Sequence, residues 1–149
     1  MTVFRNILIP TDGSALSRQA VKKAVALAQK THARVTGFHV TPSYRVNIYS
    51  DYMPPDIVLP REHEALQKKV ATRHLETIRK ECKAAGVPCA TYFVCSDFAA
   101  DAIVKAAKKY RCDLIAMASH GRSGLSRILL GSETQKVLAH TTIPVLVLR

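Results

Sequence analysis

The sequence has 149 residues, of which 48% are hydrophobic and 22% charged, an ordinary balance for a globular protein with its own core. It contains no apolar run as long as a membrane span, and residues 1–9 lack the cleavage site of a signal peptide. The formal net charge is +11, but many of the basic side chains fall between the apolar positions of predicted helices, on solvated faces. We expect one domain over residues 1–149, located in the cytoplasm, and neither a membrane nor a nucleic acid as partner.

The predicted elements alternate between strand and helix. A short apolar run at residues 3–9 predicts a buried first strand that stops at Pro10, and Ser14 opens the first helix. A second strand follows at residues 33–40. The remaining elements, in chain order, are a helix at 61–85, a strand at 87–94, a helix at 97–110, a strand at 113–118, a helix at 132–140 and a strand at 143–148. The segment 41–60, between the second strand and the helix at 61–85, has little periodicity and is typical of a lid, a binding loop or mobile chain.

This alternation predicts the α/β class, with an open five-stranded parallel sheet, right-handed crossovers and helices on both faces. With the half-Rossmann strand order 3-2-1-4-5, strand order reverses between strands one and four, where ligands of such sheets bind. The loop from Thr11 through Asp12 to Ser14 would then face the loop from Ser119 through His120 and Gly121 to Arg122 across one crevice.

The second of these loops has the features of an anion-binding site. Gly121 and Gly124 allow close backbone approach, and Gly131 and Ser132 begin a helix whose free N–H groups suit a phosphate. The same residues also fit a plain glycine turn followed by a capping box from Ser132 to Gln135. Both interpretations use the same helix end.

Three further side chains near this crevice have two interpretations each. Asp12 could accept hydrogen bonds from a ribose or help to hold a metal ion, or it could cap the first helix. His120 could contact a phosphate or make a structural hydrogen bond. Arg122 could neutralise phosphate charge or face solvent.

Several chemistries are excluded by the motifs that the sequence lacks. It contains no dinucleotide fingerprint, no P-loop and no nucleophile elbow. The four cysteines, Cys82, Cys89, Cys95 and Cys112, are too widely spaced for a metal knuckle or a redox pair, so we expect reduced and mostly buried thiols. The six histidines are equally scattered. We assign no metal site and no catalytic residue.

Four segments carry a resemblance to a known family. Residues 7–14 (ILIPTDGS) resemble the opening strand and turn of the universal stress protein family, residues 113–121 (DLIAMASHG) and 129–132 (LLGS) together resemble its nucleotide loop, and residues 143–148 (IPVLVL) resemble its closing strand. Its ATP-binding members carry Gly-x-x-Gly-x9-Gly-Ser or Gly-x-x-Gly-x9-Gly-Thr. Ala118 stands at the first glycine, Gly121, Gly131 and Ser132 match, and Glu133 replaces a commonly apolar residue.

The resemblance implies an adenine nucleotide alpha hydrolase-like fold that binds ATP, ADP or AMP, with magnesium as a candidate counterion. Asp12 would meet the ribose, the Val40 backbone the adenine, and the helix start the phosphates. The implied nucleotide-binding residues are Pro10, Thr11, Asp12, Val40, Met117, Ala118, Ser119, His120, Gly121, Arg122, Gly131, Ser132, Glu133 and Thr134. The resemblance also implies a homodimer paired through the last strand, unidentified protein partners and a regulatory role in stress adaptation.

Two alternatives to a nucleotide-binding regulator stay open at this point. The first is a slow ATP hydrolase or phosphotransferase in which His120 or Asp12 assists, although no general base is plainly committed to activating water. The second is a family member that no longer binds nucleotide and acts as a protein-interaction module, for which Ala118 and Glu133 are the sequence evidence.

Overall fold

The computed structural model describes residues 3–43, 60–120 and 130–149. The elements follow the predicted order, with boundaries displaced by a few residues. The strands are β1 (Asn6–Pro10), β2 (Arg34–Thr41), β3 (Cys89–Cys95), β4 (Leu114–Ala118) and β5 (Val145–Leu148). The helices are α1 (Ala15–Thr31), α2 (Pro60–Ala85), α3 (Ala99–Lys109) and α4 (Ser132–His140). The first strand is the main correction, because Val3 is exposed and β1 begins at Asn6 and includes Pro10.

The five strands form one parallel sheet in the order β3-β2-β1-β4-β5, which confirms the predicted topology. The central strand β1 pairs with a neighbour on each side, so that Ile7 lies beside Val35 of β2 and beside Leu114 of β4. Strand order therefore reverses between β1 and β4. The carboxyl ends of these two strands define the predicted ligand-binding edge.

The sheet is covered on both faces, and β1 supplies residues to each. Ile7 and Ile9 join one buried cluster with residues of α1 and α2, whereas Leu8 joins a second with residues of α3 and α4. Because successive side chains of a strand point to opposite faces, a strand buried on both is continuously apolar. Within the described part of the chain, no helix is long and apolar enough to cross a membrane.

Two predicted segments fall largely outside the described residues. In the segment 41–60, Thr41 ends β2 and Pro60 begins α2, and residues 44–59 between them are not described. The same holds for residues 121–129, which include the predicted site residues Gly121 and Arg122.

The cysteines correct one expectation and add one contact. All four are free, but only Cys82 and Cys112 are buried, whereas Cys89 and Cys95 lie exposed on β3, an edge strand that is accessible along its length. The spacing of the cysteines in the sequence also gives no sign that two of them lie close together. A turn between α2 and β3 reverses the chain, and the thiols of Cys82 and Cys89 lie close enough to shift each other's pKa.

The carboxylate of Asp113 fixes the amino end of β1 to that of β4. It accepts hydrogen bonds from the backbone N–H of Arg5 at 2.8 Å and 3.1 Å and from that of Asn6 at 3.0 Å. In return, the Asp113 N–H donates to the Asn6 carbonyl at 3.0 Å. These bonds satisfy the backbone donors that come before the first pair between β1 and β4, Ile7 with Leu114.

We expect Asp113→Ala to lower the free energy of unfolding by about 1–3 kcal/mol, because the N–H of buried Asn6 loses its acceptor. The control is Asp101→Ala, which removes an exposed ion pair with Lys105 and should cost less than about 0.5 kcal/mol. Urea denaturation of both variants measures the difference. Equal losses would show that the Asp113 contacts contribute no more than a surface pair.

The loop that leaves β1 depends on Gly13. Its φ is +78°, and a Cβ atom there would lie 2.1 Å from Cε1 of His74. The ring of His74 in turn lies 5.0 Å, centroid to centroid, from the ring of buried His39, which donates from Nδ1 to the Thr11 carbonyl at 2.8 Å. The two imidazoles thus fill the space beneath this loop and fix its path.

We expect Gly13→Ala to destabilise the protein by about 2–4 kcal/mol, from a left-handed backbone conformation and the clash with His74. Gly86→Ala is the matched control, since Gly86 also has a positive φ of +68° but open space around it, and should cost about 1 kcal/mol. In a double-mutant cycle, His74→Ala should remove the steric part of the Gly13→Ala loss. A coupling energy of zero would contradict this contact.

Candidate functional site

A cavity of about 340 Å³ opens at the carboxyl ends of β1 and β4, beside the start of α4. Eleven of the predicted site residues line it: Pro10, Thr11, Asp12, Val40, Met117, Ala118, His120, Gly131, Ser132, Glu133 and Thr134. Ser119 is not among the lining residues, and Gly121 and Arg122 lie outside the described residues. The structure also adds four lining residues that the sequence did not predict: Ser17, Phe38, Ala99 and Ile103.

Hydrogen bonds hold the β1 side of the cavity in place. The Thr11 N–H donates to the Phe38 carbonyl at 2.9 Å, and the Thr11 hydroxyl lies 2.8 Å from that of Ser17. Asp12 accepts from the Ser14 N–H at 2.9 Å through Oδ1, while the cap of α1 is Ser14 itself. The alternative role of Asp12 as helix cap is therefore wrong, since the carboxylate closes a local turn at the lip of the cavity.

The β4 side is organised by the backbone of buried Ser119. Its N–H donates to the Leu148 carbonyl at 2.8 Å, and its carbonyl accepts from the Gly131 N–H at 2.7 Å. One residue earlier, the Ala118 carbonyl accepts from the Thr134 hydroxyl at 3.0 Å. These bonds hold the first turn of α4 directly against the end of β4.

The start of α4 differs from the predicted capping box. The N-cap is Gly131, with no side-chain cap bond, and Ser132 is the first helical residue. Gln135 sends its side-chain amide to the Leu130 carbonyl at 2.7 Å. Since the Gln135 N–H makes the first intrahelical bond, to Gly131 at 3.0 Å, the preceding amides of the first turn have no acceptor within the helix. Together with the helix dipole they favour an anion at this wall of the cavity.

Ala118 fits its position without backbone strain. It is the last residue of β4 and lies beside Leu148 of β5 in the parallel ladder. Among the described residues, only His32 and Arg111 combine a side chain with a positive φ. The alanine that replaces the family's glycine therefore adopts a conformation open to any residue, and it adds only a methyl group beside the cavity.

Glu133 has a partner that the sequence did not indicate. Its Oε2 accepts from the Ala100 N–H at 2.9 Å, and its Oε1 accepts from Nζ of Lys136 at 3.3 Å. Because the N-cap residue of α3, Phe98, makes no side-chain cap bond, Glu133 caps α3 from the neighbouring helix. Because this acceptor lies 33 residues away in the sequence, no local pattern could have predicted the cap.

The inner wall of the cavity is apolar. Phe38, Ile103 and Met117 are buried, and Val40 and Ala99 complete this wall. An apolar slot of this kind suits a flat heteroaromatic ring, whereas the opposite wall carries Asp12 and the α4 amides. Phe38 was hidden from sequence analysis because it lies in mid-strand, where an apolar residue signals only burial.

His120 contributes a polar atom to the cavity. Its Nδ1 lies 2.9 Å from the Ser119 hydroxyl. Its Nε2 is buried and, within the described residues, has no hydrogen-bond partner. A buried ring nitrogen needs a hydrogen-bond partner, and the described residues do not supply one for this atom.

Comparisons with known proteins agree with this architecture. Universal stress protein MJ0531 of Methanocaldococcus jannaschii is 32% identical over 152 residues, covering 99% of this chain and 83% of its own. Among solved structures, universal stress protein UspA from Lactobacillus plantarum superposes with a TM-score of 0.75 at 25% identity, covering 97% of each chain.

A more distant structure carries a ligand. It is a universal stress protein family protein from Arabidopsis thaliana with AMP bound, with a TM-score of 0.66 and 17% identity, covering 97% of this chain and 90% of its own. At this identity the likeness concerns the fold. The model of the universal stress protein family itself matches residues 4–149, and this chain therefore belongs to that family.

Proposed function

We propose that this protein binds an adenine nucleotide, ATP, ADP or AMP, in the cavity between β1 and β4 and acts as a regulatory universal stress protein. The observation that carries the proposal is that one cavity joins an apolar wall to an uncapped helix N-terminus. A nucleotide needs both, one for its base and one for its phosphates. The AMP complex of the Arabidopsis thaliana relative supports the same assignment.

The base would lie between the apolar side chains of Val40, Ile103 and Met117. Because water is excluded there, the apolar faces of a purine ring would be favoured. Backbone groups of the strands at the rim would form hydrogen bonds with the edge of the ring. Asp12 also lines the cavity, and its carboxylate would accept hydrogen bonds from the ribose hydroxyls.

The phosphates would lie at the first turn of α4, near Nε2 of His120. Amides without an intrahelical acceptor and the positive end of the dipole attract them. Glu133 opposes part of this attraction, although Lys136 offsets its charge. The balance favours a monophosphate over a triphosphate unless a cation such as magnesium accompanies the latter.

Our proposal of a homodimer rests on β5. This strand lies at the edge of the sheet and is half-buried along its length, so a second copy could cover its open side. Analytical ultracentrifugation that shows only monomer at micromolar concentration would contradict the dimer.

Gly131→Val should abolish or weaken nucleotide binding by at least about tenfold, because the added side chain would fill the space in front of the α4 amides. The backbone at Gly131, with φ of −59°, is open to any residue, so we expect the fold to survive. Titration calorimetry with ATP, ADP and AMP, with and without magnesium, measures the effect. The control is Leu138→Ala at an exposed position of the same helix. Wild-type affinity in Gly131→Val would place the ligand elsewhere.

Glu133→Gln should strengthen ATP binding by about threefold to tenfold, the size expected for one charge interaction near a protein surface, and AMP binding less. Glutamine keeps an acceptor for the Ala100 N–H, so the cap of α3 survives while the charge is lost. Glu76→Gln, which removes an exposed charge paired with Arg79 on α2, is the control. An unchanged ratio of the two affinities would show that Glu133 does not face the phosphates.

A further inference from the structure

Cys82 and Cys89 lie on either side of a tight reversal between α2 and β3. The Val87 N–H donates to the Cys82 carbonyl at 2.9 Å, and the Gly86 N–H donates to the Lys83 carbonyl at 3.2 Å. Gly86 has a positive φ of +68°, which ends the helix and returns the chain along it. The two cysteines are thereby brought back towards each other.

The packing of α2 on β3 places both thiols on the same face of the sheet. Cys89 lies beside Val35 in the ladder, and Val35 and Cys82 belong to the same buried cluster. One turn earlier on the helix, Arg79 donates to the hydroxyl of Thr91, two residues further along the strand. Helix and strand therefore run side by side, and Cys82 and Cys89 form the next facing pair in the same row, with thiols close enough to influence each other's pKa.

Only one of the two thiols is open to solvent. Cys82 is fully buried, whereas Cys89 is exposed and lines a second cavity, of about 280 Å³, together with Arg34 and Tyr92. Cys89 pairs with residues at the beginning of β2, so this cavity lies at the opposite end of the sheet from the nucleotide site. A small reagent could reach Cys89 here, and the guanidinium of Arg34 would attract an anionic one.

Cys82 and Cys89 lie in different environments, which give the two sulfurs different reactivities. The pKa of Cys89 is lowered, chiefly by the hydrogen bond from Cys82 and further by the charge of Arg79, against the effect of burial. The pKa of Cys82 is raised by the same hydrogen bond and by burial. Cys89, which is also the exposed sulfur, is thus the more readily deprotonated of the two and reacts first.

We propose that Cys89 and Cys82 form a dithiol that anionic low-molecular-weight disulfides oxidise, with Cys89 as the attacking sulfur and Cys82 as the resolving one. The Cys89 thiolate attacks one sulfur of the small disulfide, whose S–S bond breaks and releases one thiolate. Cys82 then loses its proton to solvent and attacks Sγ of Cys89, which releases the second. The small disulfide is reduced to two thiols, and the protein gains one internal disulfide.

The test exposes the full-length protein to oxidised glutathione and follows it by intact mass and peptide mapping. We expect an internal Cys82–Cys89 crosslink in the wild type, a mixed disulfide that persists on Cys89 in Cys82→Ala, and no adduct at Cys82 in Cys89→Ser. Cys95→Ser is the control, since Cys95 is exposed on the same strand but contacts Pro42 and Ser43, and its loss should leave the crosslink intact. A stable glutathione adduct on wild-type Cys89 would overturn the proposal.

A second measurement does not depend on the folding of Cys82→Ala. In the wild type, alkylation of Cys89 by iodoacetamide at pH 7 should be about tenfold faster than that of Cys95, and its rate should level off at a lower pH. Equal rates and equal pH profiles for the two cysteines would show that Cys89 is an ordinary surface thiol and would also overturn the proposal.

Discussion

The N-terminus of α4 is held at the carboxyl end of β4 by backbone hydrogen bonds that meet at Ser119. Its N–H donates to Leu148 of β5 and its carbonyl accepts from the N-cap residue Gly131, so a single residue joins the edge of the sheet to the start of the helix. Without it, the first-turn amides would have no fixed position relative to Asp12 and the apolar wall. The geometry of the whole cavity depends on this junction.

The hydrogen bonds of Glu133 account for its place at the start of α4, beside the proposed phosphate site. The carboxylate is bonded to the Ala100 N–H and to Lys136, so it stabilises the start of α3 while α4 keeps its own amides for a ligand. The two helices thereby share one acidic side chain. The same carboxylate that opposes part of the attraction of α4 for a phosphate thus also helps to position the walls of the cavity.

Local signals in the sequence were sufficient for most of the fold. Continuous apolar runs predicted the central strands, Gly86 predicted the end of α2, and glycine next to a polar residue at two strand exits predicted where the cavity would form. The features that the sequence did not predict depend on contacts between residues that lie far apart in the chain. The cap that Glu133 provides and the pairing of Cys82 with Cys89 arise only when helices pack or a chain reverses, and no short-range pattern encodes them. The contribution of Phe38 was missed because burial alone does not tell a core residue from a cavity wall.

The most direct test of the account is a titration of the isotope-labelled protein with AMP, followed through its backbone amide resonances. We predict the largest shifts at Asp12, at Ala118 and at the first-turn residues Ser132 and Thr134, where the cavity walls meet. Saturation with AMP that leaves these resonances unmoved, or that moves those around Cys89 instead, would contradict a nucleotide site at the junction of β1, β4 and α4.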